Sequence, residues 1–235
     1  LFGWEEHGLA FDVALHIGTL ATLLWYFRRD WIALTHAALG LLRRRRVETL
    51  DDRRVLLLVV ATIPAAVGGL LLEDLAETVF RAPWLNAVML IVMGVLLWAA
   101  DRFAAHDRPL DRMRWSDALV IGLAQVCALV PGVSRSGSTM TAGRALRFDR
   151  PSAARFSFLM SMPITAAAVV LKTPDALAAE GIGGALVVGI VTAAVSSWIA
   201  IAVLLRYLTR HSFGVFALYR IALGAFVLAL LATRG

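Results

Sequence analysis

The sequence predicts an all-α polytopic membrane protein: six transmembrane helices and one re-entrant helix hairpin. Three observations carry that prediction. Hydrophobic residues make up 60% of the 235-residue chain and charged residues only 17%, where soluble domains run roughly half apolar and a quarter charged. Six apolar stretches approach the roughly 20 residues that cross a bilayer. Basic residues gather on alternate connections, as they do on the cytoplasmic side of membrane proteins. So little polar surface excludes a soluble single-domain enzyme, and also disordered, collagen-like and disulfide-rich chains. Cys127 is the single cysteine and has no internal disulfide partner.

The spans are read, in order, over Phe11–Phe27, Val55–Leu72, Trp84–Ala100, Ala153–Leu171, Gly183–Leu205 and Phe213–Ala232. Trp25, Tyr26, Trp31, Trp84 and Trp98 sit near span ends, where amphipathic rings anchor at the interface. A seventh stretch, Ala118–Pro131, is too short for a span and suits a re-entrant segment. It breaks at Pro131-Gly132, and a second short helix is expected near Met140–Leu146. Pro64, Pro163, Gly68 and Gly69 are expected to kink or close-pack helices.

Charge tests this layout independently. The chain has 23 basic and 17 acidic residues, net +6. If the seventh stretch dips in and returns, segments 28–54, 101–117, 144–155 and 206–211 share one side and hold 18 of the 23 basic residues. Arg81, Lys172 and Arg234 fall on the other, and Arg135 and Arg220 lie within apolar sequence. A full span there would break the asymmetry. The basic side is therefore read as cytoplasmic, with both chain ends outward. The excess charge is topological, not a nucleic-acid footprint. The run Arg43–Arg46 is topogenic or meets anionic membrane lipid.

Three spans, a hairpin and three spans form most of an inverted repeat. The chain reads as one membrane domain, 1–235. Its first repeat, 1–117, lacks an N-terminal hairpin. Its second, 118–235, carries the hairpin 118–147. The chain starts at Leu1, so a missing N-terminal piece is expected.

The chemistry concentrates between Pro131 and Thr139. An arginine at mid-membrane depth costs about 2.5–3.5 kcal/mol on insertion scales, which makes Arg135 a functional candidate. Ser134, Ser136, Ser138 and Thr139 surround it with hydroxyls, and Gly132 and Gly137 let the backbone turn toward a ligand. A helix begins there, and helix N-termini favour anions. Arginine, hydroxyls and amides together suit a phosphate-sized oxyanion. A plain turn satisfying its own backbone would have no need of arginine. No phosphate-binding G-x-x-x-x-G-K-[ST] loop is present. Cys127 stands eight residues before Arg135, where a cysteine phosphatase has six. A serine-arginine lipid phosphatase of the histidine type would place that histidine at Thr141. Asp51-Asp52-Arg53-Arg54 lacks the further carboxylate of a prenyl-transfer motif.

Residues Gln125 to Thr139, QVCALVPGVSRSGST, resemble the second signature motif of the bacterial undecaprenyl-diphosphate phosphatases, or bacitracin-resistance proteins. FDVALHIGTLA at Phe11–Ala21, ARFSFLMSMP at Ala154–Pro163 and SFGVFALYRIALG at Ser212–Gly224 resemble three of that family's spans. The resemblance implies hydrolysis of undecaprenyl diphosphate to undecaprenyl phosphate, which recycles the carrier lipid for cell-wall synthesis in the bacterial inner membrane. It implies that Arg135 clamps a phosphate and that Ser134, Ser136 and Thr139 hydrogen-bond it or orient the attacking group. Gly132, Gly137, Ser138 and Gln125 would complete the phosphate site. It implies a divalent cation, Mg²⁺ or Ca²⁺. A homodimer is a further expectation. The family's first motif, paired glutamates four apart followed by Ser-Ser-Thr-Gly-His, has no counterpart in the sequence. Glu5, Glu6 and His7 match the connection after it. The metal ligands are therefore expected upstream, none of them in this chain, and the chain alone is expected to be inactive. A transporter or flippase for polyprenyl phosphate is the competing reading, since an anion site serves both.

Other residues read more blandly. His16 is a hydrogen-bonded packing histidine or a contact to the site. Gln125 serves the site or packing equally well. Arg220 pairs with an internal carboxylate or, as the leading reading, snorkels to the interface. His36, His106 and His211 lack metal-ligand spacing.

Overall fold

An apolar segment in lipid must satisfy its backbone polar groups within itself, which makes helices. The computed structural model describes residues 9–78, 82–180 and 184–234, and regular structure among them is helical apart from one isolated bridge, Arg108 to Phe148. The helices are α1 Leu9–Tyr26, α2 Arg28–Arg44, α3 Leu50–Thr78, α4 Pro83–Phe103, α5 Trp115–Val126, α6 Arg135–Ala145, α7 Arg150–Glu180, α8 Gly184–Leu208 and α9 Gly214–Arg234. Five of these are long and apolar enough to cross a membrane: Leu50–Leu72, Pro83–Phe103, Arg150–Leu171, Leu186–Leu208 and Gly214–Thr233. Their large side chains face outward, with Leu70 81% and Leu71 76% exposed. Glu5, Glu6, His7 and Arg81 lie outside the described residues.

Two elements differ from expectation. The segment 28–44, read as a basic connection, is a helix: α2 buries Leu34 and Ala37 on one face and carries its charges at both ends. The helix expected near Met140 starts at Arg135. The Ser-Gly-Ser-Thr run is thus its first turn, not the loop before it.

Small residues set the packing, as they do where backbones approach in membrane bundles. A Cβ on Gly18 of α1 would lie 2.3 Å from the Ile190 carbonyl of α8, and Thr22 Oγ1 donates to the Ala194 carbonyl at 2.7 Å. A Cβ on Gly224 of α9 would lie 2.6 Å from the Ala87 carbonyl of α4. A Cβ on Gly122 of α5 would lie 2.4 Å from the Ala61 carbonyl of α3. Gly68 faces Val126, whereas Gly69 meets nothing within 4 Å. The main core, including Phe27, Leu57, Met113, Ile121, Phe148, Phe156 and Met160, lies among α1, α3, α5 and α7.

α5 and α6 form a short pair whose two feet are fastened to one connection. At the foot of α5, the Arg108 guanidinium donates to Asp117 Oδ2 at 2.5 Å. At the foot of α6, Arg108 N donates to the Arg147 carbonyl at 3.2 Å, and Asp149 N returns to the Arg108 carbonyl at 3.0 Å. Beneath them lies a buried ion cluster. Asp101 of α4 accepts from Arg144 Nε at 2.9 Å, from Arg150 Nε at 2.8 Å and from Phe213 N at 3.0 Å. One carboxylate thereby joins α4, α6, α7 and the start of α9.

Candidate anion site

The tip between α5 and α6 turns sharply. A 3-10 turn, Cys127–Leu129, ends α5, and Gly132 then adopts φ +87, a left-handed conformation that glycine takes without strain. Its missing side chain also matters, since a Cβ there would lie 2.3 Å from the Asn86 carbonyl. Ser134, at φ 65, caps α6: its Oγ accepts from Gly137 N at 3.2 Å, satisfying one of the helix's orphan amides.

Arg220 of α9 holds the tip from outside, donating through Nη2 to the carbonyls of Gly132 at 3.0 Å and Val133 at 2.7 Å. It neither pairs with a carboxylate among the described residues nor simply snorkels; it satisfies broken backbone, as irregular segments at membrane depth require. Gly137 makes room for it, because a Cβ there would lie 2.1 Å from Arg220 Nη1.

Arg135, the first residue of α6, faces a cavity of about 420 Å³. Ser136 of α6, Ser157, Ser161 and Thr165 of α7, Thr19 and His16 of α1 and Ser197 of α8 share its lining. Arg135 Nη2 donates to Thr165 Oγ1 at 3.1 Å, and Thr165 passes its own proton to the Ser161 carbonyl at 2.9 Å. Among the described residues no carboxylate lines the cavity. A guanidinium has five N–H donors in a rigid fork, and the Thr165 bond engages one nitrogen. The positive end of the α6 dipole lies at the same point. Donors and positive charge at one point suit an oxyanion.

Of the eight residues singled out in the sequence, the cavity brings together Arg135 and Ser136. Ser138 and Thr139 are buried and turn inward, their hydroxyls donating to the Arg135 carbonyl at 3.0 Å each. Thr139 also meets Ser157 Oγ at 2.7 Å and so supports α6 against α7. Ser134 caps, and Gly132 and Gly137 admit their neighbours. Gln125 is buried in α5 outside the cavity lining, with neither amide atom hydrogen-bonded among the described residues. Sequence reasoning missed Ser157, Ser161 and Thr165. Their spacing of four is one stripe on an apolar helix, which is a readable signal.

A divalent cation needs several carboxylate, imidazole or thiolate ligands. No group of three or more such side chains occurs among the described residues. The described residues therefore assign no ligand to a metal centre, and no step below is routed through one.

Helical architecture, with five helices long and apolar enough to cross a membrane, defines a multi-pass membrane protein. Residues 1–226 match the family described as bacitracin resistance protein BacA. The chain is 63% identical to the undecaprenyl-diphosphatase of Gemmatimonas aurantiaca, covering 99% of this chain and 87% of that one. It is 47% identical to the undecaprenyl-diphosphatase of Pelotomaculum thermopropionicum over 100% and 86% of the two chains, and 43% identical to that of Thermomicrobium roseum over 97% and 86%. The chain belongs to the BacA family.

Proposed function

We propose that this protein hydrolyses undecaprenyl diphosphate to undecaprenyl phosphate and inorganic phosphate, and so contributes to bacitracin resistance. The observation that carries the reading is Arg135 at the N-terminus of α6, facing a hydroxyl-lined cavity with no carboxylate among its described lining residues. The names of the relatives supply the substrate. Water adds to the terminal phosphorus, the bond from that phosphorus to the bridging oxygen breaks, and the electron pair leaves with the lipid phosphate. Arg135 meets the phosphoryl oxygens as their charge grows, Ser136 adds a hydroxyl beside it, and Thr165 orients the guanidinium. The family's divalent cation would add Lewis-acid neutralisation of the diphosphate; it belongs to this proposal without assigned ligands.

The same proposal covers topology. Six spans and a re-entrant α5–α6 hairpin are supported by the hairpin's two feet meeting one connection. An inverted repeat is supported by the packing of α4 on α9 and α1 on α7, the pairs that a two-fold relation would bring together. The arginine-rich connections face the cytoplasm of the inner membrane. Reporter tags at Arg45 and His106 should then both read cytoplasmic, and one at Ala179 external; a cytoplasmic signal at both His106 and Ala179 would sink the hairpin.

The functional test is release of phosphate from a C55 prenyl diphosphate in detergent, with Mg²⁺, by the protein expressed from its complete coding sequence. Release above a protein-free blank, lost with Arg135, supports hydrolysis. Binding without release favours polyprenyl-phosphate transport, which a broken helix pair also suits.

A further inference from the structure

A second, amphipathic site lies on the other side of α7 from Arg135's cavity lining. Two cavities adjoin there, sharing Leu34 and Leu58. The first, about 240 Å³, sits where α2, α3 and α7 begin, and Arg29, Asp30, Asp51, Arg54 and Arg155 stand around it. The second, about 400 Å³, runs deeper along α3 and α7, past Val59, Ile63, Ala66 and Pro163. Among its described lining residues Thr35 and Thr62 alone bear hydroxyls, and none is charged.

The order of these linings along the helices is informative. On α3 the sequence runs from Asp51 and Arg54 to Val59, Ile63 and Ala66; on α7 it runs from Arg155 to Pro163. Charge lies at the helix starts and apolar surface one to three turns further in. An amphiphile with its head at the membrane surface has that profile.

Charge selects the head. Arg155 pairs with Asp30, and Arg54 with Asp51 and Asp111. Arg29 has no hydrogen bond or ion pair among the described residues. With Asp111 counted beside the lining, three guanidiniums meet three carboxylates, but the carboxylates engage Arg54 and Arg155 and leave Arg29 without a counter-ion among the described residues. Two orphaned buried atoms belong to this lining, Arg54 Nε and Trp31 Nε1, and both are donors. The site lacks acceptor oxygens for these donors, and Arg29 lacks a counter-charge among the described residues. We propose that it holds an anionic phospholipid, with the phosphate at Arg29 and Arg54 and one acyl chain in the groove between α2 and α3.

The probe is dioleoyl phosphatidylglycerol, titrated onto the protein in dodecylmaltoside and followed by native mass spectrometry. Zwitterionic dioleoyl phosphatidylcholine is the comparison. The anionic lipid should bind at least about tenfold more tightly. Ala66→Trp fills the groove and Arg29→Glu reverses the unpaired charge, and each should weaken that binding by about tenfold or more. Arg135→Ala should leave it unchanged. Size-exclusion profiles check the fold, and Arg29→Glu, at an exposed side chain, remains informative if Ala66→Trp does not fold. Equal binding of the two lipids overturns the proposal. So does loss of binding in Arg135→Ala, which would place the lipid in the phosphate site. Displacement of the phospholipid by equimolar undecaprenyl phosphate would overturn the choice of occupant.

Discussion

Asp101→Ala should be the most destabilising single carboxylate removal at the basic end of the molecule. Asp101 is 4% exposed and Arg144 is fully buried. Removing one member of a buried ion pair costs about 3–5 kcal/mol, because the other charge is left without compensation. Arg144 retains carbonyl acceptors at Ala104, 3.3 Å, and Ala105, 3.4 Å, and at Phe148. Those favour the lower figure. The amide of Phe213 loses its acceptor as well, which adds about 1 kcal/mol. The total, about 4 kcal/mol, corresponds to roughly 8–16 °C in Tm for a chain of this size. Asp101→Asn keeps an acceptor but not the charge, and should lose about half as much. Asp101→Leu with Arg144→Met removes both charges together and should recover much of the loss. The control is Asp107→Ala. Asp107 pairs with Arg147, but both side chains are more than half exposed, so that change should move Tm little. The assay is thermal unfolding in detergent, followed by size-exclusion of heated samples. A Tm for Asp101→Ala matching that of Asp107→Ala would show that the cluster does not hold α6 and α7 to α4.

Three further outcomes are expected. In phosphate release, Arg135→Ala should cut turnover about 10²–10³-fold, as loss of an oxyanion donor does, and Arg135→Lys should restore only part of it because lysine offers one point charge; Ser134→Ala should do less, and near-normal turnover in folded Arg135→Ala would remove that residue from the mechanism. Gly132→Ala should impair folding, since its Cβ meets the Asn86 backbone at a positive φ, whereas Gly137→Ala displaces the movable end of Arg220 and should lower turnover with a milder Tm change; reversal of that order would refute the steric argument. Desolvation, then the Arg144 and Arg150 guanidiniums, hold the His106 imidazole below its ordinary 6.5. The unfolded ring therefore binds more protons just below that value, so this stabilising contribution is complete above about pH 6.5 and is lost as pH falls. The Tm of His106→Asn should decline less than wild type between about pH 7.5 and 5.5, and parallel curves would count against it.

Apolarity made six helices legible, because a helix facing lipid needs apolar side chains on every side. α2 escaped because its apolar residues follow a single face and its charges dominate the composition. Trp31, Leu34, Ala38 and Leu41 stand three or four apart, so the period was present while continuous apolarity was not. The α5–α6 pair was legible from its length and from Pro131-Gly132, but the start of α6 was not: Ser134 caps it through a positive φ that its residue type does not announce. Arg135 stood out as a charge within apolar sequence. The hydroxyls facing it did not, since Ser and Thr in spanning helices commonly bond their own preceding turn, as Thr62 does to the Leu58 carbonyl at 2.7 Å. Both line cavities, and what separates Thr165 from Thr62 is the Arg135 guanidinium that donates to Thr165. The role of Arg220 was hidden for a different reason. Its acceptors are main-chain carbonyls, which every residue carries.

The arginines divide by what they face. Arg44, Arg54, Arg108, Arg144, Arg147, Arg150 and Arg155 each pair with a carboxylate at the basic end. A pair of that kind is neutral as a unit and can hold helices together without attracting an anion. Arg135 and Arg220, within apolar sequence, have only neutral oxygen acceptors among the described residues. Arg220 directs its donors to two carbonyls, and its work there is to fix the tip. Arg135 makes one bond to a hydroxyl and keeps its charge open to a cavity with no carboxylate among its described lining residues. Burying such a charge is costly unless an anion shares the site. The cost is tolerable only in the presence of what the cavity binds, and a phosphoryl group whose charge grows during reaction relieves it most when that charge is greatest. In the proposed hydrolysis, the charge that is costly to hold without an anion is the one that meets the growing phosphoryl charge.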